Sequence, residues 1–301
     1  MPSPQVRKAN KRINFSIVLT AFMLIGAFAA TSAQAKIYVG GDSQYIQSAP
    51  LGGGKAKNVF NMGQNNLGSL AAGGGYLFFA YNSGLTNIGP INRQKLGGKG
   101  FRKDLVRGAD EVNALASSGK YIYFGQGTSI GVARLDGSGA KLNFIPNVGT
   151  VLSIAADKNY VYWANSDQTA IGRAEIDGSS PNPNFISGIS GGVSDVTVSK
   201  YSIFWSNAGG TAIGRASIGG SGVNPNFITG MAQVGDVEVH GGFVYWTDAG
   251  GQVGPCDGPG CIPTGPGSTA GSIDRAKLNG TGMKRIVKRL NNPDSLAVLA
   301  D

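Results

Sequence analysis

The chain has 301 residues, of which 49 are glycine, with 14% charged side chains and a formal net charge of +9. Its length suits one large β domain, and its basic residues do not interleave with aromatics, which excludes the stacking platform of a nucleic-acid binder. Tyr, Phe, Val and Ile recur in short bursts between Gly, Asn, Asp and Ser, the profile of many short strands joined by tight turns.

At the N-terminus, Arg7, Lys8, Lys11 and Arg12 precede a charge-free apolar run from Phe15 to Ala30, and Ala33-Gln34-Ala35 supplies small residues for a signal peptidase. Residues 1–35 are therefore expected to be an export signal cleaved after Ala35. An uncleaved anchor is the alternative, although the run falls short of the roughly 20 residues that span a bilayer as a helix. No later stretch could span a membrane, so none is expected once the signal is removed. Losing the four basic residues of the signal lowers the charge from +9 to +5. The expected location is secreted, periplasmic or cell-envelope, and the form of the signal points to a bacterium.

From residue 36 onward, four features recur at one spacing. An aromatic strand starts at Tyr76 (YLFF), Tyr121 (YIYF), Tyr160 (YVYW), Tyr201 (YSIFW) and Phe243 (FVYW), in steps of 45, 39, 41 and 42 residues. A strand opening with IG or ID follows at Ile88, Ile130, Ile171, Ile213 and Ile273, and runs into a Gly-rich turn. An FI pair comes next at Phe144, Phe185 and Phe227. Last comes an alternating segment such as VSDVTVS from Val193 or VGDVEVH from Val234. Period-two alternation marks a strand with one buried face, and Asp-Gly, Asn-Gly and Gly-Gly are hairpin turns.

Each unit thus reads as a four-stranded antiparallel meander. A sheet that small cannot bury both faces alone, but a radial ring of them can. Units starting near 36, 76, 121, 160, 201 and 243 make the expected fold an all-β, six-bladed β-propeller over residues 36–301. The final strand, SLAVLAD (295 to 301), is expected to pair into the first blade and close the ring.

The pattern resembles the class B (YWTD) repeat of low-density lipoprotein receptors, intact as Tyr245-Trp246-Thr247-Asp248 and eroded to YWAN (162 to 165) and FWSN (204 to 207). LDGSG at Leu135 to Gly139 is also similar to the turn of that family. The resemblance implies a six-bladed propeller that binds other macromolecules. The IGRA strands are more weakly similar to streptogramin B lyase, a propeller enzyme.

Catalytic signals are sparse. His240, the single histidine, sits in a VEVHGG turn, and Asp and Glu are read as occupying mostly turns and strand ends, which does not fit a carboxylate metal cage. Gly127-Thr128-Ser129-Ile130-Gly131 matches a nucleophile pattern by letters but joins two strands rather than a strand and a helix. Asn279-Gly280-Thr281 reads as a hairpin turn rather than a glycosylation site. No catalytic residue, metal ligand or cofactor is assigned.

Strand order puts the loop from the second to the third strand of a blade and the link to the next blade at one end of the ring, the expected binding face. Loops there carry Asp42, Asn82, Asn165, Asp167, Asn207 and Asp248 as candidate ligand contacts, with backbone capping as the competing role. An insertion of roughly eighteen residues within 249–271 emerges on that face. It holds Cys256 and Cys261, whose even count in an exported chain favours a local disulfide.

Basic residues concentrate in the first, second and sixth units, including Lys95, Lys99, Arg102, Lys103, Arg107, Lys284, Arg285, Lys288 and Arg289. An anionic envelope polymer could dock on that sector. The expected function is a secreted, non-catalytic propeller that recognises a protein or glycan through one loop face. A propeller lyase or hydrolase with a polar site at the channel mouth is the alternative. Convergent carboxylates at the mouth would favour the enzyme, and a broad, shallow, mixed surface the binding module.

Overall fold

The computed structural model describes residues 35–41, 44–63, 66–82, 89–98, 100–109, 111–167, 169–250 and 271–299. The expected signal up to residue 34, Asp42 and both cysteines lie outside the described residues, as does most of the insertion.

In chain order the strands are β1 (Lys36–Gly41), β2 (Tyr45–Pro50), β3 (Lys57–Asn61), β4 (Asn66–Gly73), β5 (Tyr76–Asn82), β6 (Asn92–Lys95), β7 (Val112–Ser118) and β8 (Tyr121–Gln126). They continue as β9 (Ser129–Arg134), β10 (Lys141–Ile145), β11 (Val151–Ala156), β12 (Tyr160–Asn165), β13 (Ala170–Glu175), β14 (Asn182–Ser187), β15 (Asp195–Val198) and β16 (Ser202–Ser206). The remainder are β17 (Ala212–Ser217), β18 (Asn224–Thr229), β19 (Val234–His240), β20 (Phe243–Asp248), β21 (Gly271–Lys277), β22 (Lys284–Leu290) and β23 (Pro293–Leu299).

These strands form six antiparallel sheets, and β23 completes the first, in the order β23-β1-β2-β3. The last strand therefore closes the ring beside β1, with Lys36 opposite Leu299 and Gly40 opposite Ser295. Five sheets have four strands and the second has three. In the second blade the outermost strand shrinks to a single bridge between Arg93 and Arg102. Leu105, Val106 and Ala109 instead turn inward and fill the core beside the third blade.

The core is six clusters, one in each gap between neighbouring blades. Adjacent residues on a strand point to opposite faces of the sheet. Tyr162 accordingly packs toward the fifth blade and Trp163 toward the third; Tyr245 and Trp246 divide in the same way between the first blade and the fifth. All four side chains are at most 1% exposed.

The recurring IG has a steric cause. Gly172 stands opposite Trp163 and Gly214 opposite Trp205, and a Cβ at either glycine would lie 2.1 Å from the facing indole. The FI pair and the hairpin glycine belong to one contact: Phe185 of the fourth blade lies 3.0 Å from where Gly220 of the fifth would carry a Cβ, and Gly220 has φ +85°. Gly214→Ala is expected to cost about 1–3 kcal/mol by forcing the Trp205 ring aside. Gly209→Ala, where the nearest atom is 3.9 Å away, should cost less than about 0.5 kcal/mol. Denaturant unfolding of the two variants measures the difference.

Candidate functional site

The first strand of each sheet lines the axial channel, and β4, β7, β11, β15, β19 and β23 touch in succession around it. Where these strands begin, a void of about 860 Å³, counted out to its open mouth, is walled by one equivalent residue per blade: Ser69, Ala114, Ser153, Asp195, Asp236 and Ser295. Register shifts at Leu67/Ser69, Val112/Ala114, Val151/Ser153 and Val234/Val237 fall beside this level. Such bulges re-aim side chains.

At this level, side chains join one blade to the next. Ser69 Oγ accepts the Leu115 N–H at 3.0 Å, Ser153 Oγ the Val196 N–H at 3.1 Å, Asp195 Oδ2 the Val237 N–H at 2.7 Å, and Asp236 Oδ2 the Leu296 N–H at 2.7 Å. Ser153 Oγ also donates to Asp195 Oδ1, and Ser295 Oγ to Asp236 Oδ2 at 3.3 Å. A continuous polar belt therefore runs through the fourth, fifth, sixth and first blades and includes the closing strand. One turn deeper, Thr197 Oγ1 accepts the Val239 N–H at 3.2 Å.

Asp195, Asp236 and Glu238 converge here, and Asp236 and Glu238, inside β19, are exceptions to the expectation that acidic residues occupy mostly turns and strand ends. No lysine or arginine lines the channel among the described residues. Burial raises all three carboxyls above their ordinary range. Glu238 reaches about 8, first through burial and then through the charge of Asp195. Asp236 rises well above the usual range, through burial and then through Asp195, with which it shares a hydrogen bond. Among the described residues, no group of three His, Cys, Asp or Glu side chains is placed to hold a metal ion.

The sequence signal for these acids lies in the alternating segments. In VGDVEVH, Asp236 and Glu238 are two apart and share the face opposite Val237, and Asp195 and Thr197 relate in the same way in VSDVTVS. A strand first in its blade has its polar face toward the channel rather than toward solvent.

The loop residues expected at the binding face do not join this cluster. Asp248 caps the link from the fifth blade, accepting N–H bonds from Gln233 at 3.1 Å, Ala232 at 3.4 Å and Gly250 at 3.0 Å. Asn207 Oδ1 accepts from Thr211 at 2.8 Å and Ala212 at 3.1 Å. Asp167 accepts from Thr169 at 3.2 Å, and Asn165 is buried at the end of β12. Asn82 ends β5, with its backbone opposite Asn66.

The YWTD letters thus have separate duties. Tyr245 and Trp246 fill the two gaps, Thr247 Oγ1 accepts the Asp236 N–H at 3.0 Å, and Asp248 caps the link. His240 ends β19, and the Gly127 to Gly131 segment joins β8 to β9, where Ser129 Oγ donates to the carbonyls of Gln126 and Leu142. In the basic sector, Arg285 is paired with Asp274 at 3.0 Å, while Lys284, Lys288 and Arg289 are exposed along β22.

No family model and no curated protein sequence matches the chain. Solved structures do. The β-propeller in the crystal structure of a nidogen–laminin complex superposes with TM-score 0.69 at 15% identity, covering 88% of this chain and 98% of that one. A TolB-like propeller from Agrobacterium tumefaciens superposes with TM-score 0.60 at 13% identity, covering 89% and 99%. Both carry the likeness at the level of fold.

Because Glu238 takes up a proton on folding, the folded chain binds more protons than the unfolded one between the ordinary value of 4.5 and about 8. Stability is therefore expected to fall as pH rises through that window. Chemical denaturation from about pH 5 to about pH 8 measures this slope, and Glu238→Gln should flatten it. A slope unchanged in that variant would contradict the assignment.

Proposed function

We propose that the chain is an exported, non-catalytic binding propeller that recognises a protein through the face at which the inner strands begin. The observation that carries this reading is the commitment of the mouth's carboxylates. Asp195 and Asp236 each accept an N–H group of the next blade and so serve to latch the ring. The fold relative from a nidogen–laminin complex favours a protein over a glycan as the partner. The apolar leader with its Ala-Gln-Ala end supports export.

One observation favours a second reading, a lyase or hydrolase at the channel mouth: Asp195, Asp236 and Glu238 line one void, where burial raises all three carboxyls, as in a catalytic carboxylate site.

Capture of partners from the envelope and medium of the producing organism separates the two. Asp195→Asn is expected to retain the protein partner captured by the parent chain, and deletion of 249–271 to reduce its capture. Identical capture by the deletion variant would remove the insertion from the binding face. A captured molecule that the parent alters chemically and Asp195→Asn does not would establish the enzyme.

A further inference from the structure

The second, fourth and sixth blades share an arrangement from which the fifth departs. In those three, the first residue of the aromatic strand is Tyr76, Tyr160 or Phe243. Its ring centroid lies 4.3 Å from the guanidinium carbon of Arg93, Arg173 or Arg275. Each arginine stands opposite the residue two positions further along, Phe78, Tyr162 or Tyr245. The same register in the fifth blade sets Arg215 opposite Phe204 and puts Ser202 where the others have the ring.

The tyrosine of YSIFW is displaced by one residue. Tyr201 sits in the hairpin before β16, 69% exposed, with Lys200 Nζ 4.9 Å from its ring. Arg215 keeps only more distant rings, Phe227 at 5.0 Å and Phe204 at 5.8 Å. Its Nε and Nη2 donate to Ser202 Oγ at 3.1 and 3.0 Å. Ser202 is only 3% exposed beneath that guanidinium, and beside it lies an open space of about 680 Å³, counted out to solvent and bounded by Tyr201, Ser202, Arg215, Ser217, Asn224 and Phe227.

Among the described residues the one ion pair is Arg285 with Asp274, so no carboxylate neutralises Arg215. A guanidinium stacks favourably on an aromatic face. The sister blades show which group fits this position, since each fills it with a ring of its own.

We propose that this slot is a docking site for an aromatic side chain, Tyr or Phe, of a protein partner, which inserts between Arg215 and Tyr201 and restores the stack found in the sister blades. The proposal rests on the reading of the chain as a protein-binding propeller. The slot lies at the opposite end of the ring from the channel mouth, where Ile218 N–H bonds the Tyr201 carbonyl at 2.9 Å. It is thus a second point of contact.

The slot can be tested without the partner, using p-cresol, the side-chain analogue of tyrosine. In nitrogen-15 NMR, p-cresol is expected to shift the Arg215 Nε–H resonance saturably, with a Kd on the order of millimolar. Ser202→Phe fills the slot from within and should abolish the shift while raising the melting temperature. Arg215→Lys keeps the charge but loses the planar face, and should weaken binding several-fold. An Arg215 resonance unmoved at saturating p-cresol, or equal binding by Ser202→Phe, overturns the site.

Soaking crystals of the parent chain with 4-bromophenol gives a readout independent of any variant. A bromine anomalous peak between Arg215 and Tyr201 supports the slot, and a peak elsewhere only overturns it. A protein partner captured equally well by the parent and by Ser202→Phe overturns the docking role. Binding of p-cresol in the slot with no protein captured would instead count against the function proposed above.

Discussion

Everything in this molecule depends on one geometric constraint: a sheet of three or four short strands has two faces to bury and only a neighbouring sheet to bury them against. The aromatic strand meets that constraint with adjacent large side chains that point in opposite directions. Tyr162 and Trp163 serve different gaps, as do Phe204 and Trp205. Aromatics of this size bury ~150–250 Å² each, so one strand per blade supplies much of the contact on both sides. No blade is a folding unit alone, and the ring stands or falls with its weakest gap. The closing strand β23 therefore matters to the whole ring, since it supplies the inner strand of the first blade.

The second consequence concerns polar groups. Inner strands of neighbouring blades are not joined by a shared ladder, and the belt at the channel mouth supplies side-chain acceptors between them. Serine accepts in two blades and aspartate in two. The aspartates bring carboxyls into a buried place without a cation, which pushes both above the ordinary carboxylate range. Latching and proton uptake are thus one feature, concentrated where the fifth and sixth blades meet the closing strand.

The fold was legible in the sequence because its cause repeats. YW, IG and the hairpin glycine recur at the period of the blade, since each answers the same contact. Closure was legible because the chain ends on a strand that the first blade lacks. The reduced fourth strand of the second blade was not legible, since Leu105, Val106 and Ala109 replace it with apolar packing that has no period.

The site was read less well, for two physical reasons. Asp195, Asp236 and Glu238 alternate with valines as solvent-facing residues of an ordinary strand would, and only the inner position of the strand turns them toward a channel. The loop residues Asp248 and Asn207 look exposed in the sequence but are spent on backbone N–H groups. The displacement of Tyr201 was visible as an irregular letter, YSIFW. Its meaning needed the strand register that puts Ser202 opposite Ser217.

The central claim is that the ring closes through β23 and opens only as a whole. Native-state hydrogen exchange tests it most directly. The account predicts that the slowest amides of β1 and β23 exchange with the same protection as those of β12 and β16, because all open in one global event. Early exchange of β1 and β23, with the remaining blades still protected, would contradict it.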